Sequence, residues 1–392
     1  KVVPRAKHRM LRAGMFQHIL KLWREAGLVK LGHGSLDGTK EKANASKRKA
    51  MSYDRMKEDE VRLAAEIAEL LKRAEGADVA DDARLGRDGK EEDLPAELKR
   101  RETRLAKIRE AKAALEEQAR TARVEKLREQ AASHQAAAAA ATDPVEQKRA
   151  STLAERREAS ARQLEAGVAT DGPEDDPDPE PGSSATREPE AMPMHQTPCT
   201  PSGAPKPGAQ RNFTDPDSRI MESHGEFVQG YNGQIAVDDA HQIIVAHGLS
   251  NQAPDTYYLV PMLTLVERNC GAPPKAITAD AGYWAPANAA WCEERGIDAY
   301  IATQRQRHGV APVTASVEPT TAAPTTPIEK MRNKVASPGG RQLYSRRKVL
   351  PEPVFGQIKE ARGFRRFSLR GLVKVRSEWA LVCACHNLLK LH

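Results

Sequence analysis

Lys275-Ala-Ile-Thr-Ala-Asp280 is a short apolar run that ends in an acid, and the residues after it alternate helix and strand signals. Ala285 to Arg295 reads as a helix closed by Gly296, and Asp298 to Ala302 reads as a second short strand. Apolar runs of this length, bounded by Gly and Pro, suit buried strands rather than helices. Strand, helix and strand in that order point to an α/β layer.

The pattern extends in both directions. Upstream, Gly233-Gln-Ile-Ala-Val237 and Gln242-Ile-Ile-Val-Ala246 form a predicted hairpin around Asp238 and Asp239, and Tyr257 to Asn269 has helical periodicity that stops at Gly271. Further upstream, Leu28-Val-Lys-Leu-Gly-His-Gly-Ser-Leu36 reads as a strand running into Asp37-Gly38. Downstream, Trp379 to Leu391 reads as a closing amphipathic helix, with Trp379, Leu381, Val382, Leu388 and Leu389 mostly in the core. The expected fold class is therefore α/β, a mixed sheet flanked by helices.

Two kinds of sequence interrupt it. Between residues 52 and 168 the composition shifts to Ala, Glu, Lys, Arg and Leu, and Leu98, Leu105, Ile108 and Leu115 recur at coiled-coil spacing. The Gly and Pro residues between Asp81 and Pro95 divide this stretch into two antiparallel helices, a long α-helical hairpin (coiled-coil) insertion. Residues 171–210 hold ten prolines and open on an acidic run, which reads as a disordered linker. The expected organisation is the start of a core at 1–51 and the helical insertion at 52–168. A linker at 169–210, continued core at 211–308, a second flexible linker at 309–340 and a C-terminal part of the core at 341–392 follow.

Composition excludes several classes. Mean hydropathy is −0.63, and no apolar run approaches the ~20 residues of a membrane span. No signal peptide follows the basic start, so the chain is expected in the cytoplasm. Five scattered cysteines form neither a disulfide framework nor a zinc pattern, and Cys383 and Cys385 read as buried thiols. A net charge of +7 permits nucleic acid without indicating it.

Three acids occupy positions that suit a site on such a sheet. Asp37 follows the first strand, Asp280 ends a later one, and Glu352 opens a helical segment in which Pro353 suits the first helical position. Clustered carboxylates repel unless a cation neutralises them, and Mg²⁺ favours hard oxygen ligands. Any one acid, judged alone, is more readily a solvated surface charge.

Several motifs narrow the choice. They are Leu36-Asp-Gly-Thr-Lys-Glu-Lys-Ala-Asn-Ala-Ser46 with Ser52-Tyr-Asp-Arg-Met56, Asn212-Phe-Thr-Asp-Pro-Asp-Ser-Arg-Ile-Met221 and Gly230-Tyr-Asn-Gly-Gln234. Ala279-Asp-Ala-Gly-Tyr283 and Glu352-Pro-Val-Phe-Gly-Gln-Ile-Lys359 complete the set. In these stretches the sequence resembles the DDE transposases of bacterial insertion sequences, whose catalytic core is RNase H-like. The resemblance implies that Asp37, Asp280 and Glu352 are the metal-binding catalytic triad. It further implies that Asp37 bridges two Mg²⁺ or Mn²⁺ ions and that Asp280 and Glu352 each complete one.

The resemblance also implies that Tyr344, Arg347 and Lys359 contact DNA around the final acid. Glu352 and Lys359 are seven residues apart, so a regular helix turns both the same way. The implied activity is cleavage and strand transfer at insertion-sequence ends, with end and target DNA as partners. A homodimer or higher oligomer in the bacterial nucleoid is implied as well. Two departures stand out. Only 36 residues precede Asp37, leaving no room for an N-terminal end-recognition domain, so a truncated copy is expected. Pro351 directly precedes Glu352 and is expected to force Leu350 extended.

Residues 341–376 hold eleven Lys and Arg against two acids, a local excess larger than that of the whole chain. Gly363-Phe-Arg-Arg-Phe367 interleaves aromatics with arginines, which predicts Phe364 and Phe367 inward and Arg362, Arg365, Arg366 and Arg370 on DNA. Two alternatives remain from the sequence. One is an inactive transposase remnant that binds DNA without sequence preference, and the other is an oligomerisation protein built on the coiled coil.

Overall fold

The computed structural model describes residues 5–82, 93–167, 192–223, 225–304 and 326–390. In chain order its helices and strands are α1 (Arg5–Glu25), β1 (His33–Lys42), β2 (Ala50–Ser52), α2 (Tyr53–Asp82), α3 (Asp93–Ala140), α4 (Pro144–Glu165) and β3 (Gln210–Asn212). They continue as β4 (Arg219–Ser223), β5 (Glu226–Asp238), β6 (Ile244–Ser250), α5 (Leu259–Cys270), β7 (Ala276–Ala279), α6 (Pro286–Glu294) and β8 (Asp298–Ile301). The last four are α7 (Pro327–Ala336), α8 (Pro338–Ser345), α9 (Pro351–Gly356) and α10 (Leu372–Leu389). The chain divides into two units, Lys1–Ser46 with Asp178–His195 and Asp217–His392, and Lys47–Pro177 with Gln196–Pro216.

The first unit is a mixed sheet in the order β4-β5-β1-β7-β8, with β6 also paired to β5. β1 is antiparallel to β5 and parallel to β7, and β7 is parallel to β8. Helices cover both faces of the sheet: α1 and α10 lie on the face of Ile235, where Phe16 packs on His247 and a Cβ at Gly233 would meet Trp379, and α5 lies on the other, where a Cβ at Gly248 would meet Met262. Phe16, Leu20 and Trp23 pack with Leu259, Met262 and Trp379 around Ile235, Val237 and Ile244, all at most 3% exposed. Each such side chain contributes roughly 1.5–3 kcal/mol by leaving water. Asn387 extends the sheet's bonding into α10, since its side chain accepts from Ile244 N at 2.9 Å and donates to Ile244 O at 2.8 Å. Among the described residues no helix is long and apolar enough to cross a membrane.

The first strand differs from its sequence reading. It begins at His33, not Leu28, and runs on to Lys42. Asp238 accepts from the backbone of Lys30 at 3.4 Å and Leu31 at 2.9 Å, and Leu31 takes a positive φ of 51°. The apolar run before His33 is thus a turn held by Asp238, and Asp37 lies inside the strand rather than after it.

In the second unit the helical stretch forms three helices instead of a two-helix hairpin. α2 and α3 run antiparallel, as Tyr53 bonds Glu116 while Glu66 pairs with Arg101. Met56, Leu63, Leu105, Ile108 and Leu115 form their seam. A second turn then reverses the chain into α4, where Asp143 caps the helix by accepting from Val145 N and Pro144 takes the first helical position. Val124 and Leu127 pack there against Ala161 and Leu164. Asp-Pro is a helix-start signal that the broad Ala-rich composition obscures.

The two linker expectations lie partly outside the described residues, at 168–191 and 305–325. Residues 192–210 follow a defined path instead, with Thr197 buried and a bridge between Cys199 and Pro205. Residues 326–340 are helical as well. Thr326 and Glu329 form a reciprocal capping box at the start of α7, and Met331 and Val335 pack its apolar side on the core.

Candidate active site

Strand pairing sets the site. In the parallel register of β1 and β7, Leu36 lies opposite Ala279, so Asp37 and Asp280 follow at the same level on neighbouring strands. Asp280 caps the short turn Ala281–Tyr283 by accepting from Gly282 N at 2.8 Å. A Cβ on Gly282 would sit 3.0 Å from Asp280 Oδ1 and 3.3 Å from Asp255 Cβ, which explains the glycine in this motif.

Arg347 joins the two acids. Its Nη2 lies 3.5 Å from Asp37 Oδ2 and 3.9 Å from Asp280 Oδ2. Burial pushes the Asp37 carboxyl up to about 7; Arg347 pulls it down, and Asp280 adds to the rise. Burial disfavours the Arg347 cation too, but Asp37, Tyr344, Asp280 and Glu352 more than compensate and raise its pKa. Tyr344, on α8, is raised by burial, and the charges of Asp280, Asp37 and Glu352 act on it in the same direction.

Glu352 is placed differently. It is exposed in the first turn of α9 and reaches Arg347 and Tyr344 through its charge. Pro351, rather than Pro353, takes the first helical position, and Leu350 is not extended but has φ −107° and ψ −80° with its side chain 2% exposed. Burying Leu350 in the core overrides the extended bias that a following proline imposes. The helix is not regular beyond it, because Gln357–Ala361 forms a π turn in which Arg362 N bonds Gln357 O. A wider turn changes the angle per residue, so the regular-helix spacing does not by itself set where Lys359 points.

Lys359 faces β1. Side chains alternate along a strand, so Asp37, Thr39 and Glu41 share one face. The Lys359 ammonium bonds Thr39 Oγ1 at 2.5 Å and Glu41 Oε1 at 2.9 Å. On the opposite face Lys40 Nζ bonds both oxygens of Asp255 at 2.8 and 3.1 Å, and Asn232 and Gln234 donate to Asp255 as well. The last two belong to the Gly230–Gln234 motif. Thr39, Lys40, Glu41 and Asp255 were not singled out by sequence reasoning. The alternation after Asp37 was the available signal, masked by five polar or glycine residues in a row.

The remaining basic residues have varied partners. Arg362 approaches His386 Nδ1 at 3.3 Å, and Arg365 pairs with exposed Glu360. Arg370 Nε donates to Asn44 O at 2.9 Å, and Arg366 is exposed beside a backbone bridge to Lys42. Phe367 is 1% exposed and packs edge-on against Tyr231 and Phe364, so the aromatics point inward.

The donor chemistry suits a divalent cation at the acid pair. Asp37 and Asp280 present hard oxygens side by side, and the raised Asp37 shows how poorly that buried negative charge is compensated by Arg347 alone. Glu352 does not complete a cluster, since among the described residues no three His, Cys, Asp or Glu side chains gather closely enough to hold a metal ion.

Residues 311–392, the stretch that carries Tyr344, Arg347, Glu352 and Lys359, match the family described as Transposase DDE domain. The match supports a DDE transposase. No curated protein and no solved structure matches the chain. A transposase domain implies DNA as substrate, and the acids that pair across β1 and β7 lie outside the matched residues, supplied by the mixed sheet.

Proposed function

We propose that the chain is a DNA transposase with an RNase H-like core that cuts and joins DNA at the ends of a mobile element. The observation that carries this reading is the pairing of Asp37 with Asp280 by strand register, joined by Arg347 from the segment that matches a transposase domain. Asp37 and Asp280 would hold a divalent cation, Mg²⁺ or Mn²⁺, with Glu352 of α9 as the third acid of this reading. A cation so held would neutralise charge on the phosphodiester oxygens during an in-line displacement.

The protein's own groups orient the reaction. Arg347 and Tyr344 face the acids and receive the phosphodiester, while Lys359 holds a flanking phosphate as a point charge. In the cut, a water oxygen attacks phosphorus, the bond to the 3′ oxygen breaks, and that oxygen takes a proton. In the joining step the freed 3′-hydroxyl attacks a target phosphodiester and a target 3′ oxygen leaves. The three-helix unit is the insertion that follows the first Asp in this reading.

The test incubates the protein with a duplex of the DNA that flanks its coding sequence, a supercoiled plasmid and Mn²⁺. Joined products that disappear in Asp37→Ala and Glu352→Ala support the reading. Salt-sensitive DNA binding with no cleavage or joining favours an inactive remnant.

A further inference from the structure

Glu41 is 2% exposed and Thr39 8%, an unusual pair of residues to bury on a strand unless something fixed requires them. Together with Lys359 they close a ring. The ammonium donates to Thr39 Oγ1 at 2.5 Å, the Thr39 hydroxyl donates to Glu41 Oε1 at 3.3 Å, and the ammonium also meets Glu41 Oε1 at 2.9 Å. Each member bonds the other two, so the charge of Lys359 is held in one place rather than swept through solvent on a four-carbon stem.

An ammonium has three N–H donors. Two are used here, and among the described residues the third has no acceptor, although the side chain is 25% exposed. Thr39 and Glu41 lie two and four residues along β1 from Asp37 on the same face, so the open donor sits along the strand from the acid pair.

We infer that Thr39 and Glu41 are positioning residues: they seat the Lys359 ammonium so that its remaining donor meets a DNA phosphate beside the Asp37–Asp280 pair. The inference rests on the transposase reading and adds a role that neither the acids nor Lys359 alone contains. Glu41 acts only through Lys359. As a bare carboxylate facing DNA it would repel the phosphate, and pairing it with the lysine removes that repulsion while fixing the cation.

The experiment is a double-mutant cycle on duplex DNA affinity, read in the full chain with Ca²⁺ in place of Mg²⁺ to prevent cutting. Lys359→Ala and Glu41→Gln are each expected to weaken binding by about tenfold, the scale of one hydrogen bond to a charged group. The double variant is expected to bind no worse than Lys359→Ala, and Glu41→Asp, which retains the charge, to recover part of the loss. Melting curves check that each variant folds. If Glu41→Gln does not fold, Thr39→Val asks the same question from the other acceptor, and its loss must likewise vanish in the Lys359→Ala background.

A Glu41→Gln or Thr39→Val effect that persists undiminished without Lys359 overturns the inference, and so does Lys359→Ala weakening binding while both seat variants bind as the parent does. If the parent chain itself retains no duplex, the transposase reading has failed first, and the inference falls with it.

Discussion

Asp37 and Asp280 stand side by side because Leu36 and Ala279 are paired in a parallel ladder, although 243 residues separate the two acids in the chain. Arg347 lies within 4 Å of both and supplies one positive charge to the pair. Much of the site's electrostatics follows from this arrangement.

The first consequence is a pH dependence. The pKa of the Asp37 carboxyl is about 7 in the folded chain against 3.8 for an unperturbed aspartate, chiefly through burial. The folded state therefore keeps a proton that the unfolded state releases, and stability falls as pH rises from about 4 to about 7. Asp37→Asn removes this dependence, so in chelator the variant should gain on the parent over that window, by at most about 4 kcal/mol. Mn²⁺ should raise the melting temperature of the parent and not of the variant. Parallel melting curves of parent and variant from pH 4 to 8 check both.

Gly38 gives a second prediction. A Cβ there would overlap the Gln234 amide and lie 3.1 Å from Asp255 Oδ1, within the network that holds Lys40 behind Asp37. Gly38→Ala must displace that network and should cost roughly 1–3 kcal/mol, as overpacked sites do. Urea unfolding measures it; an unchanged midpoint would contradict the close packing.

His386 gives a third, of opposite sign to Asp37. Its ring is fully buried; Nε2 faces Gln242 O at 3.0 Å and Nδ1 faces Arg362 at 3.3 Å, with Lys390 also nearby. Burial lowers its pKa to about 4; the Gln242 carbonyl opposes this, while the Arg362 and Lys390 charges add to it. The unfolded chain then binds a proton that the folded chain refuses, so the stability present above pH 6.5 is lost as pH falls towards 4. The loss should reach roughly 3 kcal/mol and be absent in His386→Gln, whose amide still donates to Gln242. Unfolding of both proteins at pH 7, 5.5 and 4 separates this slope from that of Asp37.

The α/β class was legible because its strands and helices obey simple periodicities. Ala276–Ala279, Pro286–Glu294 and Asp298–Ile301 lie within a residue of their expected limits. The extent of β1 was not legible. Its second half is Gly38-Thr-Lys-Glu-Lys42, a composition that reads as loop until Lys359 and Asp255 neutralise its charges from elements more than 200 residues away. The α3–α4 turn was missed because an Ala-rich run drowned the Asp143-Pro144 signal. Of the candidate site, Asp37 and Asp280 lie side by side, although Asp37 sits within β1 and not at its end. Between Glu352 and Lys359 the helix is not regular, because the π turn at Gln357–Ala361 is invisible to a spacing rule that assumes 3.6 residues per turn.

Nicking of supercoiled plasmid in Mn²⁺, by the parent chain and by Asp37→Asn, Asp280→Asn and Glu352→Gln with matched melting curves, tests the central claim most directly. The account predicts nicking by the parent that stops in chelator and falls to background in all three variants. Nicking at the parent rate by Asp37→Asn or Glu352→Gln would contradict it.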